Sequence, residues 1–92
     1  MDKYEYFEKI KERRSHVTVQ DLIKLLISFG FVLRRTSKNH FIARHENRIV
    51  TFAPPHPGKH VKKPYVNEII KIIEEIKKEI NYERKFSQYK KN

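Results

Sequence analysis

Hydrophobic residues along the chain form helical stripes on either side of a stretch with the pattern of short strands. The first clear stripe recurs every three to four residues and consists of Val19, Leu22, Leu25, Leu26 and Phe29. Thr18 and Asp21 have the spacing of a capping box at its start, and Gly30 suits the left-handed position after a helix end. The pattern therefore predicts an amphipathic helix between residues 18 and 30.

Three short segments rich in β-branched and aromatic residues follow this helix. They predict strands at residues 31–36, 40–45 and 48–53. The polar residues between them are typical of tight turns, and strands joined by such turns are antiparallel. In the middle strand His40, Ile42 and Arg44 share one face of the sheet, and the residues between them share the other.

A proline-rich loop and a second amphipathic helix complete the pattern. The loop spans residues 54–63, Pro64 suits the first turn of the helix, and the apolar stripe runs to about Ile80. Residues 3–13 show a weaker helical pattern that predicts a short extra N-terminal helix. The order α-β-β-β-α predicts a two-layer α+β domain, with two helices on one face of a three-stranded antiparallel sheet.

We divide the chain into an N-terminal extension (residues 1–16), a folded domain (residues 17–80) and a C-terminal tail (residues 81–92). The chain of 92 residues is short enough for one domain. Its longest apolar segments are too short to cross a bilayer, and the charged N-terminus lacks the apolar core of a signal peptide. We therefore expect a cytoplasmic protein with no membrane partner.

The charge of the chain is unevenly distributed. The net charge is +10, and most of it lies in one segment. Residues 31–64 hold eight basic side chains and one acid, which gives this segment a charge of +7. The eight are Arg34, Arg35, Lys38, Arg44, Arg48, Lys59, Lys62 and Lys63. An excess of this kind is typical of a protein with an anionic partner. Because neither terminal third is strongly basic, a membrane surface is disfavoured as that partner.

Five histidines offer proton exchange near neutral pH: His16, His40, His45, His56 and His60. The chain has no cysteine, which excludes disulfides, thiolate metal ligands and a cysteine nucleophile. His56 and His60 lie in the loop without an accompanying carboxylate, whereas zinc takes three or four convergent ligands. Dinucleotide and P-loop motifs are missing from the sequence. We expect neither a metal site nor a cofactor.

His40 begins the middle strand beside a basic turn, and this placement makes it a candidate catalytic residue. RNA carries its own nucleophile, the 2′-hydroxyl group. A protein can therefore cleave RNA without a metal if a histidine moves the protons and nearby cations stabilise the phosphorane. A histidine in such a place is also an ordinary surface residue in many proteins, so the spacing alone does not assign it.

Two non-catalytic alternatives use the same basic surface. The first is a nucleic-acid-binding module in which arginine and lysine contact phosphates. Phe31, Phe41 and Phe52 would then either stack on bases or, as strand residues more often do, pack in the core. The second is an adaptor whose basic face meets an acidic protein.

A specific set of residues runs from the first predicted helix to the last. The leucine-rich helix ends in Gly30 and Phe31, an arginine follows five residues after the glycine at Arg35, and a histidine follows ten residues after it at His40. Together with the pair Arg44-His45 and the helix entry at residues 63–66, this pattern resembles the HicA-type toxins of toxin–antitoxin modules. The resemblance spans residues 18–73. The family's Gly-Ser before the histidine is Lys38-Asn39 here.

The resemblance implies a fold like that of double-stranded-RNA-binding domains and the activity of an mRNA interferase, an endoribonuclease. It also implies that His40 is catalytic, that the basic sheet face and loop hold RNA, and that a HicB-type antitoxin covers this surface. We expect a cyclic phosphate product and no metal requirement. The expected RNA-binding residues are Arg34, Arg35, Lys38, Asn39, Arg44, Lys59, Lys62 and Lys63.

Overall fold

A computed structural model describes the backbone of residues 1–90 and the side chains of residues 1–83. This part of the chain contains three helices and one antiparallel sheet. The elements are α1 (Lys3–Glu12), α2 (Val19–Ser28), β1 (Val32–Arg35), β2 (Phe41–His45), β3 (Arg48–Phe52) and α3 (Lys63–Lys90). The α+β class, the order of the elements and the extra N-terminal helix are confirmed.

Helix α2 begins and ends with the local signals that its sequence contains. The Thr18 hydroxyl accepts from the Asp21 amide at 3.1 Å, and the Asp21 carboxylate accepts from the Thr18 amide at 2.9 Å. At the other end the Gly30 and Phe31 amides donate to the carbonyls of Ile27 and Leu26, both at 3.0 Å. Gly30 is left-handed, with φ 91°, so the helix ends in a Schellman motif.

The three strands form a meander in the order β1-β2-β3. Its register places Leu33 opposite Ala43, and Ala43 opposite Val50, on the face that packs against the helices. On the opposite face Val32 is 74% exposed and Ile49 is 51% exposed. One face of the sheet therefore forms the core, and the other, which we call the open face, is left uncovered by the described residues.

The core joins all three helices to the covered face of the sheet. Phe7 of α1, Leu25 of α2 and Ile73 of α3 are fully buried, together with Phe52 of β3. Burial of side chains of this size contributes about 1.5–3 kcal/mol each. Helix α1, which the sequence indicated only weakly, is thus part of the core, and Lys11 ties it to Glu74 of α3 at 2.6 Å.

Helix α3 continues to Lys90, ten residues beyond the predicted end near Ile80. Ile80 is the last aliphatic residue of the stripe, so the apolar pattern alone did not predict the helix beyond it. Residues 91 and 92 of the predicted C-terminal tail lie outside the described residues. None of the described helices is long and apolar enough to cross a membrane.

Candidate nucleic-acid interface

The open face carries alternating cationic and aliphatic side chains. Its first row runs across the strands through Val32, Arg44 and Ile49. The second row runs through Arg34, Ile42 and Thr51. Arg44 therefore lies between Val32 and Ile49, and Arg34 lies beside Ile42 at the edge of the sheet. Both arginine side chains are exposed. A surface of this kind can contact phosphates with its charges and bases or apolar side chains with its aliphatic groups.

A depression of about 510 Å³ lies on this face beside the β2–β3 turn. It is lined by Gly30, Val32, Arg34, Ile42, Arg44, His45 and Glu46. We call it the turn depression. It brings both open-face arginines together with Glu46, the single acid of residues 31–64.

His40 lies at the opposite end of β2, where the β1–β2 turn enters the strand. Thr36 donates its amide to the His40 carbonyl at 2.8 Å, and its Oγ1 accepts from the His40 amide at 3.1 Å. His40 itself is exposed. By the alternation of β2 it lies on the same face as Ile42 and Arg44. The backbone of this residue is thus fixed while its side chain faces solvent.

The turn before His40 accommodates Lys38 and Asn39 without loss of the hairpin. The Asn39 amide donates to the Thr36 carbonyl at 2.9 Å, and Asn39 is left-handed, with φ 65°. This is a three-residue hairpin loop whose last residue takes positive φ. Asparagine tolerates that conformation well, and Lys38 does not adopt it. The turn therefore forms with Lys38 and Asn39 in place, and Lys38 presents an exposed cation.

The remaining predicted RNA-binding residues lie in two other places. Arg35 is exposed but belongs to the covered side of β1, where its guanidinium lies 4.7 Å from the centre of the Phe41 ring. Lys59, Lys62 and Lys63 are exposed in the loop after β3 and at the start of α3. This loop leaves the sheet at the same end as His40, because Phe52, the last residue of β3, is paired with Phe41. The loop then packs against the chain before α2, where the Val61 amide donates to the Val17 carbonyl, and Lys59 lines a depression with Thr18. The three lysines therefore do not lie on the open face.

The predicted RNA-binding cations form no ion pairs with carboxylates of residues 1–83. In residues 1–83 the carboxylates pair with Lys11, Arg13, Arg48 and Lys77. Arg48, the one central cation outside the predicted RNA-binding set, pairs with Glu79. The seven predicted RNA-binding cations have no carboxylate within 4.0 Å among these residues. The charge of this segment thus remains available to an anionic partner.

Burial decides the role of the phenylalanines. Phe31, Phe41 and Phe52 are 4%, 8% and 1% exposed, so they pack in the core and offer no stacking face. The apolar groups of the open face are instead aliphatic: Val32 and Ile49 are exposed, and Ile42 is half-buried. The alternation of the strands could have identified this set, because it occupies the same face as Arg34 and Arg44. The sequence patterns did not identify Thr36 or Glu46, because the surroundings of these two residues depend on the geometry of the β1–β2 and β2–β3 turns.

The other histidines have local structural surroundings. The His16 and His60 rings lie 5.2 Å apart in an edge-on arrangement, where the loop returns to the chain before α2. His45 is half-buried beside Phe31, and its Nδ1 has no hydrogen-bond partner among the side chains that the structure describes. Within the described side chains, no three His, Asp or Glu residues converge on a point that could hold a metal ion.

The fold and this surface define a small two-layer α+β domain with a basic, uncovered sheet face. Residues 19–74 match the family model of the HicA toxin of bacterial toxin–antitoxin systems. The match includes α2, the whole sheet and the first part of α3, and the chain belongs to this family. Membership implies an antitoxin partner. Searches of curated proteins and of solved structures found no match.

Proposed function

We propose that this protein is a metal-independent endoribonuclease of the mRNA-interferase type, with His40 as its single catalytic histidine. The observation that supports this most directly is the position of His40. It is exposed at one end of a basic sheet face, and its backbone is held by two hydrogen bonds to Thr36. Catalytic groups act best from a fixed position, because orientation removes much of the entropic cost of reaction.

The reaction uses the nucleophile that RNA supplies. His40 takes the proton of a 2′-hydroxyl, and the 2′-oxygen attacks the neighbouring phosphorus. The bond from phosphorus to the 5′-oxygen then breaks, and His40 returns the proton to that leaving oxygen. The products are a 2′,3′-cyclic phosphate and a 5′-hydroxyl end. Lys38 in the adjacent turn and the other unpaired cations stabilise the charge on the phosphorane.

The cations of the open face, of the β1–β2 turn and of the loop after β3 would hold the RNA. Arg34 and Arg44 contact phosphates along β2, and Lys59, Lys62 and Lys63 extend the contact beyond the end of the sheet. Arg35, Lys38 and Asn39 complete the set around the β1–β2 turn. All of these side chains are exposed, and the cations lack carboxylate partners within residues 1–83. The substrate is mRNA in the cytoplasm.

The antitoxin in this proposal is of the HicB type and covers the open face. Val32 and Ile49 support this assignment, because they are exposed aliphatic groups beside Arg44 and offer apolar contact to a protein. An acidic partner would also neutralise the central charge. A neighbouring reading frame that encodes a small acidic protein would support the pair, and its co-purification with this chain would test it directly.

The rival function is a nucleic-acid-binding module that never cuts, and the substitution of Lys38-Asn39 for Gly-Ser favours it. Purified protein should be incubated with labelled RNA in EDTA and followed by both gel shift and denaturing gel. The proposal predicts fragments with cyclic phosphate ends and no cleavage of the DNA of the same sequence. A stable shift with intact RNA, with or without divalent metal, would establish the binding module instead.

A further inference from the structure

Glu46 occupies a backbone conformation that disfavours glutamate. It is left-handed, with φ 54°, in the two-residue turn between β2 and β3. A left-handed residue other than glycine costs about 1–2 kcal/mol, and asparagine or glycine is the usual choice in such turns. Strain that persists in a folded protein often accompanies a functional role. The glutamate at this position therefore invites a functional explanation.

The surroundings of Glu46 indicate a role in binding a ligand. It lines the turn depression together with Arg34 and Arg44, and the aliphatic Val32 and Ile42 lie between them. Glu46 is exposed and forms no ion pair with the cations of residues 1–83. The depression thus combines two phosphate-binding groups, an apolar wall and a carboxylate with unused acceptor capacity.

Charge limits which part of an RNA can meet this carboxylate. A phosphate bound by Arg44 would be repelled by Glu46, so the edge of a base must face the carboxylate instead. Guanine presents N1–H and N2–H side by side, and a carboxylate can accept both hydrogen bonds with its two oxygens. In each of the other bases a hydrogen-bond acceptor lies next to the donor. This acceptor would face one oxygen of the carboxylate and be repelled by it. Guanine is therefore the base that fits.

We propose that the turn depression is a base-recognition subsite that selects guanine through Glu46. The inference rests on the proposed function. RNA would lie along β2, with the scissile phosphate at His40 and the guanine at the far end of the strand. His40 and Glu46 are six residues apart, which corresponds to about 20 Å of extended strand. The recognised base thus lies several nucleotides from the cut and makes the enzyme sequence-selective.

Binding measurements with the His40→Ala protein test this subsite without interference from cleavage. Three labelled single-stranded RNAs are compared at low salt: one with a single guanine, one with inosine at that position and one with adenine. Inosine lacks only the N2 amine. We expect about tenfold weaker binding for inosine and adenine, since one good bidentate contact discriminates by about 1–3 kcal/mol. Glu46→Gln in the same background should bind all three RNAs alike.

Glu75→Gln is the matched control, because Glu75 is an exposed glutamate of α3 outside the turn depression. This variant should keep the preference for guanine. Equal binding of the three RNAs by the parent protein would overturn the guanine subsite and leave RNA binding intact. A preference that survives Glu46→Gln would also overturn it. If none of the RNAs bound at low salt, the proposed function would fail together with the subsite.

Discussion

Thr36 holds the backbone of His40 through two hydrogen bonds, one to its carbonyl at 2.8 Å and one from its amide at 3.1 Å. The first bond belongs to the pairing of the two strands, and the second uses the threonine hydroxyl. Together they fix the point from which an exposed imidazole extends. A β-branched residue suits this place because its preferred rotamers are few. Thr36 is thus a positioning residue for His40.

Thr36→Val should lower RNA cleavage about tenfold while RNA affinity stays the same. Valine keeps the shape and strand propensity of threonine but cannot accept from the His40 amide, so the histidine loses its fixed position. The measurement separates kcat from KM on a short RNA. Thr36→Ser keeps the hydroxyl and should retain most of the rate. Equal rates for the valine variant and the parent protein would show that the hydroxyl does not position His40.

Arg44→Gln should weaken binding of single-stranded RNA and make it less sensitive to salt. Each phosphate contact contributes about 0.7 to the slope of log affinity against log salt concentration, so the slope should fall by about that amount. Lys71→Gln removes the same charge from an exposed residue of α3 and is the control. If both variants reduced the slope equally, RNA affinity would depend on the overall charge of the domain and not on the cations of the open face.

Gly30→Ala should destabilise the protein by about 2 kcal/mol or more. Gly30 is left-handed, and a Cβ there would lie 3.1 Å from Cδ2 of His45. Gly58→Ala is the matched control, since Gly58 is also left-handed, with φ 81°, but has nothing within 4 Å of the added atom. Urea denaturation of the two variants separates the cost of the conformation from that of the contact. Equal losses would mean that His45 moves aside freely.

Asp21 should make stability depend on pH in the acid range. Partial burial raises the pKa of its carboxyl, but hydrogen bonds from Arg13 and Thr18 and the charge of Arg13 outweigh this and lower the pKa overall. A lowered pKa stabilises the fold above the ordinary value of about 3.9, and this contribution disappears as the pH falls through the folded value.

Asp21→Asn should therefore cost about 1 kcal/mol at pH 7, and less as the pH falls below about 4. Denaturation of both proteins across this range measures the difference. Glu68→Gln, at an exposed residue of α3, removes a carboxylate without these hydrogen bonds and serves as the control. A difference between the Asp21 proteins that stays constant down to pH 2 would contradict the assignment of this carboxylate.

Local signals explain which parts of the fold could be predicted from the sequence. The capping box at Thr18 and the left-handed Gly30 are set by neighbouring residues, so both were predicted correctly. The alternation of β2 likewise placed Ile42 and Arg44 on one face. Helix α1 shows a weak pattern because it has few apolar residues. It is held in place by packing against α2 and α3, which the sequence pattern does not reveal.

The arrangement of the candidate site depended more on tertiary contacts. The position of the loop lysines is set by a hydrogen bond from the Val61 amide to the Val17 carbonyl at 2.8 Å, between residues far apart in the sequence. Glu46 appeared in the sequence only as one acid among many cations. Its left-handed backbone and its place in the turn depression emerge from strand pairing and turn geometry, which a pattern of residue types does not specify.

In the proposed reaction His40 moves the protons of RNA cleavage. The most direct test compares initial cleavage rates of the parent protein, His40→Ala and His56→Ala on one labelled RNA in EDTA. His56 is an exposed histidine of the loop and is the matched control. We expect a loss of at least about a hundredfold for His40→Ala, with RNA binding retained, and an unchanged rate for His56→Ala. Cleavage by His40→Ala at the rate of the parent protein would show that a group other than His40 moves these protons.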